Sequence, residues 1–289
     1  AWCRLAAKHG SKPLEEVFKP AIDAAENGFR ITPRVASDWA RNRARLESNP
    51  AAKDQYLPGG AAPEIGDRRS EGNALGSMGN AYSMLGDTHR TIELYERALA
   101  IAREIGDLRG EGNALGNMGK AYAALGETRY AIDLYSQALT LARKSDDRRR
   151  EGNMLANLGA AYVALGETGS GVELCVQALA VAREIGDRRE EGNALGNLGT
   201  AYDDLGDISL AIEFYEQQLA IVREIGDRRG EGMVLGNLGR TYEKEGDIAR
   251  SIEYMELCVD YLQEIGHPDA AANALLLRQL RERQDPLSG

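Results

Sequence analysis

The sequence predicts an all-α solenoid of stacked antiparallel helix pairs, and three observations predict it. Ile-Gly-Asp occurs at 65–67, 105–107, 185–187 and 225–227, with Ser-Asp-Asp at 145–147 and Ile-Gly-His at 265–267, a spacing of 40 residues without an insertion. Each 40-residue unit holds two stretches of apolar residues at helical spacing, joined by short turns. A lone helix pair cannot bury its apolar face, whereas stacked pairs share one continuous core.

Three segments follow from this period: a helical appendage at 1–65, five repeats at 66–265, and a partial sixth repeat or capping helix at 266–289. In the appendage, Pro13-Leu14-Glu15-Glu16 opens an amphipathic helix that Asn27-Gly28 stops, and a second helix runs from about Pro33 to Leu46. Pro50, Pro58-Gly59-Gly60 and Pro63 mark an irregular stretch before the seam at Glu64–Asp67. In the second repeat, Asp107 is placed to cap a helix that runs to about Leu125, and Gly126 fits the left-handed position that ends it. Glu127-Thr128 then opens a helix that runs from about Arg129 to Lys144. The turns are short, so the two helices of a repeat lie antiparallel. Arg278 to Gln284 is the polar tail of a capping helix.

The repeat reads Met118-Gly119-Lys120-Ala121-Tyr122 in its first helix and Ala131, Tyr135 and Ala138 in its second. The glycine recurs at Gly79, Gly159, Gly199 and Gly239, the tyrosine at Tyr82, Tyr162, Tyr202 and Tyr242, and the small residue at Thr91, Gly171, Ala211 and Ser251. This pattern resembles the tetratricopeptide repeat family over residues 66–285. Its wording is most similar to the extended repeats of kinesin light chain and of the Leu-Gly-Asn adaptors. The resemblance implies a superhelix whose first helices line a concave groove, with a protein or peptide as partner.

The first helices pose a problem. "EGNALGNMG" at 111–119 carries three glycines and two asparagines, all poor helix formers, and related phrases recur in the other four repeats. At about 100° per residue the phrase separates into three stripes. Ala114, Leu115, Met118, Ala121, Tyr122 and Leu125 form the apolar stripe that packs on the second helix and the shared core. Gly112, Gly116 and Gly119 form a stripe for close approach to a neighbouring helix.

The third stripe is polar and makes rows across the repeats. One row is Asn73, Asn113, Asn153 and Asn193, broken at Met233; the next is Ser77, Asn117, Asn157, Asn197 and Asn237; the third varies as Asn80, Lys120, Ala160, Thr200 and Arg240. An asparagine amide both donates and accepts, so such rows suit the main chain of an extended peptide whatever its side chains. The family resemblance implies the same use. The alternative is that the asparagines bond one another or water. Farther along, Ser83-Met84, Ala123-Ala124, Val163-Ala164, Asp203-Asp204 and Glu243-Lys244 pass from small and apolar to acidic, so a partner with an apolar and a basic stretch is expected.

Residues 1–67, through "PLEEVFKPAIDAAENGFRITPRVA" and "LPGGAAPEIGD", resemble an internal piece of the gamma-glutamyltranspeptidase large subunit. That family's nucleophilic threonine lies in a Thr-Thr-His type motif, which has no counterpart here, so no catalytic residue is expected and the chain reads as chimeric and non-enzymatic. The alternatives are a gamma-glutamyl transferase fragment and the sensor array of a larger signalling protein.

The chain carries a formal charge of −10; residues 1–65 hold 10 Lys+Arg against 8 Asp+Glu, which leaves −12 for the repeats. That argues against a general nucleic-acid or anionic-membrane binder. Cys3, Cys175 and Cys258 are too far apart for a disulfide framework and read as small buried hydrophobes, and His9, His89 and His267 make no ligand spacing. No metal, cofactor or membrane span is expected, the oligomeric state is open, and a cytoplasmic setting suits the cysteines. The opening Ala-Trp-Cys-Arg reads as the start of a fragment.

Overall fold

The computed structural model describes residues 68–267 and 269–284, so the two helices expected within 1–65 and the seam at Glu64–Asp67 lie outside the described residues. Among the described residues every regular element is an α-helix. The chain divides into two compact units, Ala1–Gly126 and Glu127–Gly289. The first unit contains α1 (Arg68–Met84), α2 (Thr88–Glu104) and α3 (Leu108–Ala124). The second contains α4 (Thr128–Lys144), α5 (Arg148–Ala164), α6 (Thr168–Glu184), α7 (Arg188–Leu205), α8 (Ile208–Glu224), α9 (Arg228–Glu245), α10 (Ile248–Glu264) and α11 (Ala270–Gln284).

The helix ends follow the sequence closely. Asp87, Asp107, Asp147, Asp187, Asp207, Asp227 and Asp247 each accept a bond from a backbone N–H two or three residues on, satisfying a donor that the helix leaves orphaned. Glu127 and Glu167 stand at the same position without a side-chain cap bond. The turns use a left-handed residue, with φ from 64° at Gly266 to 93° at Gly246, and Asp146 takes that conformation where the other repeats have glycine.

At Gly79, Gly199 and Gly239 the glycine stripe meets the second helix of its own repeat. A Cβ on Gly79 would stand 2.5 Å from the Tyr95 ring, one on Gly199 2.6 Å from the Tyr215 ring, and one on Gly239 2.6 Å from Met255. The tyrosine or methionine thus lies directly on the helix backbone, and the packing offsets the propensity lost at the glycine. Cys175 and Cys258 are buried among these contacts, as expected, and burial pushes the Cys175 thiol up to about 12, which leaves it protonated and inert.

The apolar stripe is buried at Ala114, Leu115, Met118 and Ala121. Leu125 departs from the expectation: it is the C-cap of α3, one residue past the last helical turn, and is 46% exposed. The last helix packs differently from the repeats before it. The 40-residue period would set Leu275 where Leu235 is buried, yet Leu275 is 56% exposed, and α11 packs through Leu277 and Leu280 on Ile252, Met255 and Val259 of α10. It is an out-of-register cap, held also by Arg281–Glu256 and Arg283–Glu243 ion pairs.

Asp-Arg-Arg recurs at 147–149, 187–189 and 227–229, and its arginines build ion pairs between successive helices. Arg143 and Arg148 both bind Glu151, Arg183 and Arg188 both bind Glu191, and Arg223 and Arg228 both bind Glu231. Arg148, Arg188 and Arg228 then reach on to Glu184, Glu224 and Glu264 at the end of the next helix. Arg68 does the same with Glu71 and Glu104, whereas Leu108 replaces the arginine in the second repeat.

Burial by itself would raise the carboxyls of Glu151 and Glu191, but the hydrogen bonds and charge of the flanking arginines outweigh it and hold both below the usual range. At Glu231 the Arg223 hydrogen bond leads the same downward shift. A carboxyl lowered on folding stabilises the fold above its unfolded value, about 4.3, and loses that contribution as pH falls through its folded value. Thermal melts should therefore show Tm dropping steeply below about pH 4. Glu191→Gln should lower Tm at neutral pH by about 2–4 °C and make the acid decline shallower; an unchanged acid profile would deny Glu191 this role.

Candidate functional site

In the second unit the first helices of successive repeats touch through polar groups. The Asn197 amide nitrogen in α7 donates to the Ala156 carbonyl in α5 at 3.1 Å, and Lys244 in α9 pairs with Asp203 in α7 at 2.6 Å. Arg240 in α9 donates to the Asn273 side-chain oxygen in α11 at 3.4 Å. The face shared by α5, α7 and α9 carries the three polar rows.

The first row bonds within the protein. The Asn193 amide donates to the Glu190 carboxylate at 3.2 Å. The Asn153 amide, in the orientation that satisfies its surroundings, donates to both oxygens of the same carboxylate at 2.9 and 2.5 Å. Met233 interrupts the row and is 64% exposed. In the first unit, Asn73 and Asn113 are exposed on α1 and α3.

The second row keeps hydrogen-bonding capacity. Asn157, Asn197 and Asn237 are each half-buried. Asn197 uses one amide N–H on Ala156, which leaves its carbonyl oxygen, and Asn237 accepts from Arg240 at 2.9 Å, which leaves its amide nitrogen. In the first unit Asn117 is half-buried and Ser77, at the corresponding place on α1, is exposed.

The third row is exposed throughout at Asn80, Lys120, Ala160, Thr200 and Arg240. Two of its members are held from behind by second-helix tyrosines. The Tyr95 hydroxyl donates to Asn80 at 2.6 Å, and Tyr215 and Thr200 share a hydrogen bond of 3.1 Å. Burial pushes the Tyr95 phenol up to about 12 and raises Tyr215, so both hydroxyls stay protonated. These tyrosines are the ones that lie on Gly79 and Gly199, so the ring seated on the glycine also holds a member of the third row. In the third repeat Cys175 replaces the tyrosine, and the row there is Ala160 beside the buried Val163 and exposed Ala164.

The acidic end is partly neutralised. One oxygen of Asp203 pairs with Lys244, while its other oxygen is buried without a hydrogen-bond partner. Glu243 is paired with Arg283, and Asp204 remains exposed. Sequence reasoning missed Glu190, the Tyr95 and Tyr215 hydroxyls, and Asn273, which stands 40 residues after Met233 and accepts from Arg240. The period signalled only Asn273.

Among the described residues no helix is long and apolar enough to cross a membrane. The gamma-glutamyltranspeptidase family model matches residues 1–78, overlapping α1, which folds as a repeat helix with Leu75, Met78 and Tyr82 buried. Over 77 residues the chain is 36% identical to the acylase ACY 1 proenzyme of Pseudomonas sp. strain V22, covering 27% of this chain and 14% of the acylase, so it spans about a seventh of that relative. Among solved structures, a Podosopora anserina putative kinesin light chain with nearly identical TPR-like repeats superposes with a TM-score of 0.56 at 20% identity, over 69% of this chain and 98% of that one. A Rap protein complexed with competence and sporulation factor superposes with a TM-score of 0.65 at 15% identity, over 86% and 80%. At these identities the two structures share the fold. Tetratricopeptide repeat models match residues 70–144, 150–224 and 234–261, more than half of the chain and in phase with the helix pairs described above. With the capped helix pairs and the glycine-seated second helices, these matches identify the chain as a member of the tetratricopeptide repeat family.

Proposed function

We propose that the chain is a protein-interaction scaffold that holds an extended peptide segment along its first-helix face and carries out no chemistry of its own. Membership of a family whose fold serves protein–protein interaction supports the general part. The observation that carries the specific part is the row Asn157, Asn197 and Asn237, half-buried and with donors and acceptors left over after the internal bonds are made. The Rap structure, complexed with competence and sporulation factor, supports a ligand-binding role by analogy of fold.

The third repeat offers the partner an apolar floor at Ala160 and Ala164, and the fourth offers the exposed carboxylate of Asp204. Asp203 contributes less than its sequence position promises, because Lys244 already engages it. A partner with a cationic side chain over the fourth repeat suits this arrangement and the −12 charge of the repeats. A peptide array probed with the full chain tests the reading. Bound peptides should be enriched in Lys and Arg, and Asp204→Lys should weaken them about fivefold, the worth of one exposed charge contact. An array that captures nothing would overturn the proposal, and affinity unchanged by Asp204→Lys would remove Asp204 from it.

A further inference from the structure

We propose that the bound segment is a polyproline-II helix that sets one residue in three on the row Asn157, Asn197 and Asn237. This rests on the peptide-binding reading above and specifies the conformation of its ligand.

The row presents one asparagine per repeat. The first helices that carry it are in direct contact, through Asn197 to the Ala156 carbonyl and through Lys244 to Asp203. Packed helices have axes about 8–10 Å apart. A ligand that uses the whole row must therefore return the same backbone face to the wall once every 8–10 Å or so. A β-strand covers that distance in about three residues, but its faces alternate every two, so successive asparagines would meet opposite faces. An α-helix covers it in about six residues, and its backbone groups are already bonded to one another. A polyproline-II helix rises about 3.1 Å per residue and turns once every three, so it repeats its face about every 9 Å with no internal hydrogen bonds.

The hydrogen-bonding groups fit the same ligand. The neighbours of these amides fix their orientation: Asn197 must donate to the Ala156 carbonyl and Asn237 must accept from the Arg240 guanidinium. The fourth repeat thus offers a carbonyl oxygen to a peptide N–H, and the fifth offers an N–H to a peptide carbonyl. Each turn of a polyproline-II helix exposes both groups. Only the residue facing Asn197 needs its N–H, so proline is acceptable at the other two positions of each triplet. Ala160 and Ala164 leave an apolar surface without long side chains over the third repeat, and Asp204 provides for a cation in the same segment.

The test uses three pools of immobilised 12-residue peptides, each with one fixed lysine, probed with the full chain. One pool has proline at two of every three positions, one has proline at every second position, and one has none. The triplet pool should bind at least fivefold more tightly than both others, because it is preorganised and keeps the N–H groups the row uses. Asn157→Ala should reduce that advantage. Binding of the proline-free pool with none by the triplet pool, or equal binding of the two, would overturn the polyproline-II inference while the peptide reading stands. Binding by no pool would overturn both.

Discussion

Gly159→Ala lowers the stability of the chain by about 3 kcal/mol, the upper end of what overpacking costs. A Cβ at this position would fall 2.9 Å from the Gly171 carbonyl oxygen and 3.2 Å from the Cys175 backbone nitrogen, and would overlap the Cys175 sulfur. Gly171 is equally constrained, since its Cβ would lie 2.8 Å from the Gly159 carbonyl oxygen and 3.1 Å from the Val163 nitrogen. The third repeat has exchanged the usual tyrosine for Cys175 and the usual alanine, serine or threonine for Gly171. Its two helices therefore meet backbone to backbone, and no side chain can rotate away to admit a methyl group. Gly76, in the same phrase of the first repeat, has no neighbouring atom within 4 Å of a Cβ. There the helix-propensity term acts alone, and Gly76→Ala stabilises by about 1 kcal/mol. Denaturant titration followed by circular dichroism reads both. A Gly159→Ala variant as stable as the parent would show that the glycine stripe is not a packing device.

The second large effect concerns binding. Asn157→Ala together with Asn237→Ala should weaken a peptide selected from the array about 10- to 30-fold, at roughly 1 kcal/mol for each hydrogen bond lost. Asn153→Ala together with Asn193→Ala should change affinity less than threefold, because both amides are occupied by Glu190. Fluorescence anisotropy with a labelled peptide measures the contrast. Equal losses from the two pairs would mean that the rows are not distinguished as the hydrogen bonds imply. Asn157 has no side-chain bond to lose among those described, so its replacement separates binding from folding.

Most of the fold was legible because its determinants are local and repeat. The Asp caps, the left-handed glycines and the 40-residue spacing act within a few residues, and the helix bounds follow from them to within a residue or two. One expectation failed, and one packing was not legible. Leu125 matches the apolar stripe by angle, but it lies just past the helix end, and a wheel does not register where a helix stops. Leu275 stands 40 residues after the buried Leu235, but α11 packs by Leu277 and Leu280 on α10, outside the repeat register.

The candidate site was legible as rows and not as chemistry. Asn153 and Asn157 look alike in the sequence. What separates them is Glu190, from the next repeat, which binds Asn153 and Asn193 and leaves the second row with capacity to spare. Thr200 is likewise only a member of a variable row until the Tyr215 hydroxyl reaches it past Gly199. Contacts between repeats and between the two helices of one repeat carry the difference, and spacing along the chain does not encode them.

The central claim is that the second asparagine row grips peptide main chain. The most direct measurement is a double-mutant cycle that pairs Asn197→Ala with an ester in place of the peptide amide facing it, measured by anisotropy on a peptide from the array. The cycle cancels the structural cost of losing the bond to Ala156, leaving the pairwise term. The account predicts a coupling of about 1 kcal/mol between the two changes. Full additivity, with the ester and the Asn197→Ala losses simply summing at every backbone position tested, would contradict it.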